Sequence, residues 1–439
     1  MMVLEIANGV TARSLTPLSG IEALIFLPKL ENGLAGMAMK PRLPEALRPM
    51  GNGSPEKISQ QVLEAVRSVV GPTGAPLHEP SFSGNEVRYL EECIDSTFVS
   101  SVGPFVDRFE SELRDVTGAD HVVATTSGTA ALQVALRLAG VGPGDEVLVP
   151  ALTFVATANA VSYLGAVPHF VDCEERTLGL DSVALREHLE TAVEIRDGRC
   201  VSRENGRVIR AMIPVHTFGH PAAIDDLLEV AVDFPMDIVE DATESLGSTR
   251  RGRHTGTIGR AGTLSFNGNK IITTGGGGAI LTDDPELASK ARHLTTTAKV
   301  AHSWEYSHDE IGYNYRLPNI NAALGCAQLE DLPDLIERKR RLFKSYTRAF
   351  AEIAGVEVVE EPYECSSNYW LQTIRLGDSF KVYKDSILGC CHAAGYGLRP
   401  AWTPLHWLQP YRNCPRADLP VAENLYGTLI NLPSSAHLV

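Results

Sequence analysis

Neither a Cys-x-x-Cys pair nor a cysteine and histidine cluster at zinc spacing occurs among the eight cysteines of this 439-residue chain. That removes the usual structural zinc modules and a disulfide framework from consideration. The cysteines are scattered, and the adjacent Cys390 and Cys391 read as buried helix residues, so a reducing, cytoplasmic setting is expected. No apolar run approaches the length of a membrane span, and the N-terminus lacks a basic segment followed by an apolar stretch and a small-residue cleavage site. Positive charge is short as well: 39 Lys and Arg against 54 Asp and Glu give a formal charge of -15. This disfavours a sequence-independent grip on nucleic acid or on an anionic membrane, and any anionic ligand must be held by local donors. A Walker-type phosphate loop is excluded, because no Lys-Ser or Lys-Thr pair follows the glycines.

What is present is apolar material enough for two or three structural units, 44% hydrophobic against 21% charged. Residues 1 to about 50 are aperiodic, with several Gly and Pro, and read as an appendage. Ile58, Val62, Ala65, Val66 and Val69 recur at helical spacing over Pro55 to Val70, and Gly71-Pro72 closes that helix. From His121 onward strand and helix patterns alternate: strands at Glu146 to Val149, Val167 to Val171, Ile209 to Val215 and Asp237 to Glu240, helices from Ala156, Ser182 and Ile224. Such alternation predicts an α/β domain with a mostly parallel sheet, whose ligand lies at the carboxyl ends of the strands. A long helix through Arg348, strands at Val356 to Val359 and Trp370 to Arg375, a helix over Tyr383 to Ala394 and a last helix from Ala417 predict a small α+β C-terminal domain. The expected division is 1–75 for the appendage and first helix, 76–330 for the large domain and 331–439 for the small one.

Three segments carry chemistry. At Thr126-Ser-Gly-Thr129 a short strand stops at a small-residue turn and a helix starts, which aims backbone N–H groups, hydroxyls and the helix dipole at one point. Taken alone, the turn is equally an ordinary helix cap. In Met236-Asp-Ile-Val-Glu-Asp-Ala-Thr-Glu-Ser-Leu-Gly247 an apolar strand ends at paired carboxylates, able to face a protonated ring nitrogen, cap a helix or hold magnesium. Without a second ligand cluster no metal is expected. Lys270 lies in Thr263 to Thr282, between two short strand runs, on a loop followed by Gly275 to Gly278. It is an ordinary surface lysine beside a flexible hairpin, or a lysine with a chemical task. A lysine on the next strand pair and a phosphate cup upstream match the parts pyridoxal 5'-phosphate requires. Phe154, just past Pro150, fits a core aromatic or a platform for a ring.

With Ser-Gly-Thr129, Asp241, Ser265, Lys270 and Gly-Tyr-Asn314 in that order, the chain resembles the sugar-nucleotide aminotransferases of fold type I, the DegT family, over roughly residues 76 to 439. Pro76-Leu-His-Glu-Pro80, Ser96-Thr-Phe-Val-Ser-Ser-Val-Gly103 and Ser265-Phe-Asn-Gly-Asn-Lys270 look most like the subgroup that aminates UDP-linked 4-keto-6-deoxy-N-acetyl sugars toward legionaminic acid or bacillosamine. The resemblance implies a large domain with a mostly parallel seven-stranded sheet, a small C-terminal domain and bound pyridoxal 5'-phosphate. Lys270 takes the place of the Schiff-base lysine and proton shuttle, and Asp241 that of the partner of the pyridinium nitrogen. Gly128, Thr129 and Ser265 match the phosphate cup, and Phe154 the ring-stacking aromatic. Glu244 falls where many relatives carry His or Gln beside the phenolic oxygen. Asn314 and Arg316 match a loop reaching the phosphate from a partner subunit, which implies a homodimer with shared sites. L-glutamate and a nucleotide-linked 4-keto sugar are the implied substrates, with Arg399 and His406 as candidate contacts. The alternatives are a family dehydratase, whose lysine position is typically a histidine, and a regulatory protein that binds without turnover.

Overall fold

Alternating apolar strands and amphipathic helices fold into a sheet covered by helices in the computed structural model, which describes residues 55–439. The segment read as an appendage lies outside the described residues. Strands β1 (His121–Thr125), β2 (Glu146–Pro150), β3 (Val167–Val171), β4 (Val193–Arg196), β5 (Arg199–Ser202), β6 (Val208–Met212), β7 (Asp237–Asp241), β8 (Ala261–Ser265) and β9 (Gly278–Thr282) share one sheet. Its main path runs β1-β9-β8-β7-β6-β2-β3, and the β4–β5 hairpin attaches to β6. β9 is antiparallel to both of its neighbours, while β8 through β3 pair in parallel. The strands of the main path are buried almost throughout, as a sheet covered on both faces requires. The mostly parallel central sheet is as expected: its main path has seven strands, and the β4–β5 hairpin brings the sheet to nine.

Boundaries differ where proline and distant caps intervene. The strand expected over Ile209 to Val215 ends at Met212, because Pro214 has no N–H to donate, although Val215 still bridges Asp241. The last helix spans Pro420–Thr428 rather than starting at Ala417: Pro420 is set for a first turn, and the Asp172 carboxylate accepts from Val421 N and Ala422 N at 3.0 and 2.8 Å. The β4–β5 hairpin and the helix Pro285–Thr295 were not anticipated.

The helix Asn319–Phe350 has 32 residues, about 48 Å of axial rise. Leu329, Leu332 and Leu335 join the large hydrophobic core, whereas Leu342, Tyr346 and Phe350 join a second one. Its first residue caps another helix: Asn319 Oδ1 accepts from Phe105 N and Val106 N at 3.0 and 3.2 Å, and Nδ2 donates to Phe98 O at 2.6 Å. The second core lies on an antiparallel sheet ordered Val356–Val358, Gln372–Leu376, Leu429–Leu432, Arg399–Pro400. The helix Pro55–Val70 buries Ile58, Val62 and Val66 in that same core, beside Ile374, Ile387 and Ile430. Amphipathic spacing thus gave the helix, and packing gave it a place with the C-terminal sheet.

Candidate active site

Strand ends bring the three chemical segments to one cavity of about 340 Å³. Register explains the convergence. Gly278, first residue of β9, lies opposite Thr125 on one side and Ser265 on the other, so the turn after β1 and the loop after β8 must meet. A Cβ on Gly278 would stand 2.4 Å from Ser127 C, and one on Gly128 would stand 2.8 Å from Ser265 Cβ. Only glycines permit this approach. Gly275 supplies the reversal, with φ +77°.

The cup is the N-terminus of the helix Gly128–Leu138. Ser127 caps it, its Oγ accepting from Ala130 N at 3.1 Å. The first-turn N–H groups at Gly128 and Thr129 have no partner within the helix, and Ser127, Gly128, Thr129 and Ser265 all line the cavity. A phosphate fits there by donor chemistry and by the dipole.

Asp241 closes β7 and is nearly buried. Thr157 Oγ1 donates to its Oδ2 at 2.8 Å, while Thr243 Oγ1 and N donate to its Oδ1 at 2.7 and 3.2 Å. Both oxygens are thereby fixed, and Oδ2, with a single donor, keeps a lone pair for a ligand donor.

Glu244 is buried as well. Its Oε2 accepts from Phe218 N at 2.9 Å and its Oε1 from Lys270 Nζ at 3.4 Å. Burial pushes its carboxyl up to about 7, against the opposing pull of the Lys270 charge and the Phe218 N–H. Phe218 holds that N–H in place from a left-handed backbone, φ 56° and ψ 14°, a strain of about 1 kcal/mol or more. Lys270 therefore faces Glu244 on one side, and on the other its Nζ sits 4.1 Å from the centroid of Trp370.

Of the residues singled out in the sequence, Gly128, Thr129, Phe154, Asp241, Glu244, Ser265 and Lys270 line this cavity. Phe154 is 52% exposed, at 6.4 Å from Trp402, so it is not a core aromatic. Asn314, Arg316, Arg399 and His406 do not line it. Arg316 is buried against the Glu110 carboxylate and donates to Ala124 O at 3.3 Å. Asn314 is exposed two residues away, on a loop held along β1 by Thr126 N donating to Tyr315 O at 2.9 Å. Arg399 is exposed on its short strand, and His406 pairs with Glu423 at 3.0 Å beside a separate groove with Trp407, Arg412 and Arg416. The group with metal-ligand spacing among the described residues, His293, Asp309 and Glu310, lies outside the cavity, with Lys290 on Glu310.

The sequence reading missed Thr157, Thr243, Trp370 and Trp402. Thr243 stands two residues past Asp241 and could have been found as a carboxylate's local donor. The two tryptophans come from far along the chain and carry no local signal.

Pyridoxal 5'-phosphate fits these residues: an anion cup, a fixed carboxylate and a lysine line one cavity, and two glycines leave the cup open. Residues 80–439 match the model of the DegT/DnrJ/EryC1/StrS aminotransferase family. The chain is 38% identical over 362 residues to GDP-perosamine synthase of Caulobacter vibrioides, covering 82% of this chain and 92% of the other. It is 33% identical over 374 residues to the spore coat polysaccharide biosynthesis protein SpsC of Bacillus subtilis, covering 82% and 91%. The crystal structure of a DegT/DnrJ/EryC1/StrS aminotransferase from Brucella abortus superposes with a TM-score of 0.73 at 30% identity, over 81% of this chain and 91% of the other. With cavity, sheet and sequence in agreement, the chain belongs to the DegT/DnrJ/EryC1/StrS family and is a pyridoxal phosphate-dependent sugar aminotransferase.

Proposed function

We propose that the enzyme moves an amino group from L-glutamate to the 4-keto carbon of a nucleotide-linked 4-keto-6-deoxy sugar, in the cytoplasm, for amino sugars of surface glycans. The observation that carries this reading is the meeting of Lys270, Asp241 and the Ser127 to Thr129 cup in one cavity. When bound, pyridoxal phosphate supplies an electron-withdrawing ring that stabilises negative charge on the carbon next to nitrogen. Gly128, Thr129 and Ser265 hold the phosphate. Asp241, oriented by Thr157 and Thr243, would hold the proton on the ring nitrogen. Lys270 would anchor the cofactor, and once released its Nζ would move the proton between the substrate carbon next to nitrogen and the cofactor. Glu244 places its carboxyl beside Lys270.

The motif resemblance favours a UDP-linked N-acetylated sugar, and the name of the Caulobacter relative brings GDP-linked sugars into the same test. Purified enzyme should show a visible absorbance band that bleaches on adding L-glutamate, and a panel of UDP- and GDP-linked 4-keto sugars should restore it selectively. Lys270→Ala should abolish both half-reactions; normal turnover in that variant would sink the mechanism.

The homodimer with shared sites belongs to this proposal. Val87, Ile94, Phe98, Val99 and Val102 are exposed apolar side chains within one stretch, which suits a subunit interface. Asn314 misses the cavity of its own chain, which suits a role in the partner's. Mixing Lys270→Ala and Asn314→Asp chains should regain activity, since one site of each mixed dimer then carries neither defect. Zero activity after mass-verified subunit exchange would leave Asn314 out of the partner's site.

A further inference from the structure

Residues 367–370 lie in the loop that leads into the strand Gln372–Leu376, where no motif marks them, and from there Trp370 enters the cavity. Trp370 is 4% exposed and is anchored at each of its polar groups. Its N–H donates to Asn368 Oδ1 at 2.8 Å, its carbonyl accepts from the buried Lys339 Nζ at 2.8 Å, and its indole Nε1 donates to Asn269 O at 2.7 Å. Asn269 is the residue before Lys270. The remaining group, the indole face, is covered by Lys270 Nζ at 4.1 Å. Asn368, wholly buried, also donates from Nδ2 to Glu244 O and Leu246 O at 3.0 and 2.9 Å. One short segment therefore sets both partners of Nζ, the Trp370 face directly and the Glu244 backbone through Asn368.

We propose that Trp370 is a positioning residue for Lys270 in its unbonded state: the indole face and the Glu244 carboxyl form a dock that holds Nζ whenever it is not joined to the cofactor. The dock rests on the reading of Lys270 given above. It does two things for the proton shuttle. The indole N–H fixes the lysine's own loop, so the free amine stays close to the atoms it serves. The electron-rich face of the buried ring gives the ammonium that Nζ becomes on taking up a proton a cation–π contact at 4.1 Å. The other titratable groups around Nζ are Glu244 and Asp241 from the end of β7 and His78 from the Pro76 to Pro80 segment. Burial and the Lys339 and Lys270 charges hold the His78 imidazole well below its usual range, so it stays neutral and adds no charge to the dock.

The test is trace acylation of the full-length, cofactor-free protein with acetic anhydride, read at the Lys270 peptide by mass spectrometry. The readout is the rate at about pH 7.5 relative to the limiting rate of the fully deprotonated amine, extrapolated from the pH–rate profile between about pH 7.5 and 11, because access scales both rates while ammonium stabilisation lowers only the first. Trp370→Leu should raise this ratio about tenfold, and Trp370→Phe, which keeps a ring face, by about threefold or less. Tetrafluorotryptophan placed at 370 keeps shape and N–H while emptying the face, and should also raise the ratio, so the test survives a leucine variant that fails to fold. An unchanged ratio with the fluorinated ring, or equal rises in the Phe and Leu variants, would overturn the proposal. Neither result depends on turnover, so failure of the dock is distinct from failure of the aminotransferase reading, which Lys270→Ala decides.

Discussion

Replacing Glu244 with glutamine should stabilise the protein at alkaline pH and leave that gain absent at acid pH. The carboxyl is buried and sits at about 7 in the folded chain against 4.5 for the free group. Its contact with Lys270 Nζ, at 3.4 Å, is long for a charge-assisted hydrogen bond, so burial outweighs it. The folded state therefore holds a proton that the unfolded chain releases between about pH 4.5 and 7. Stability contributed by the neutral acid is present below 4.5 and is lost as pH rises through 7. The difference corresponds to about 3 kcal/mol, about three quarters of it expressed between about pH 5 and pH 8. Glutamine keeps an acceptor for Phe218 N–H and does not titrate. Urea unfolding of the cofactor-free protein at fixed concentration, at both pH values, should show the glutamine variant gaining about 2 to 3 kcal/mol on wild type as pH rises. Parallel losses in the two proteins would refute the assignment of a buried, titrating carboxyl at this position. The gain in stability should come with lost activity, as expected where a site carries an unfavourable group for its chemistry.

Gly278→Ala should weaken cofactor binding by about tenfold or more while leaving the sheet folded, because its Cβ would stand 2.4 Å from Ser127 C and must push the phosphate turn away; a fluorescence titration with wild-type affinity would show that the turn gives way freely. His220 is buried with neither ring nitrogen hydrogen-bonded, and burial lowers it to about 4. It binds its proton more readily when unfolded, so stability is lost as pH falls from 6.5 toward 4. His220→Leu should remove about 2 kcal/mol of the loss between about pH 7 and pH 5 in urea unfolding, and an unaltered pH dependence would deny the burial argument.

The fold was legible because its strands are short apolar runs separated by turn residues, and because β1, β2, β3, β6 and β7 are separated by helices in the order a parallel sheet needs. What escaped depends on contacts across the chain. The strand read through Val215 stops early on the backbone of Pro214, yet the bridge from Val215 to Asp241 survives, so the side chain that matters is still delivered to the cavity. The last helix starts where Asp172, some 250 residues earlier, can cap it. No window of sequence holds both partners.

The site divides along the same line. Gly128, Thr129, Asp241, Ser265 and Lys270 each end a strand or follow one, and in a parallel sheet strand ends share one edge, so chain order alone places them together. The groups that tune them do not obey that rule. Thr157 reaches Asp241 from a helix start, Phe218 reaches Glu244 from a strained turn, and Trp370 reaches Lys270 from the loop that leads into the C-terminal sheet. Composition suggested that an acidic chain must hold anionic ligands by local donors, and the cup at Ser127 to Thr129 supplies them. Yet a donor cup and a lysine make only an anchor. Whether Nζ leaves that anchor as an effective base depends on what receives it, and the two residues that flank it, Glu244 and Trp370, are both held at their backbones by Asn368. A single buried amide, in the loop that leads into the C-terminal sheet, thus ties together the two residues between which the Lys270 amine sits.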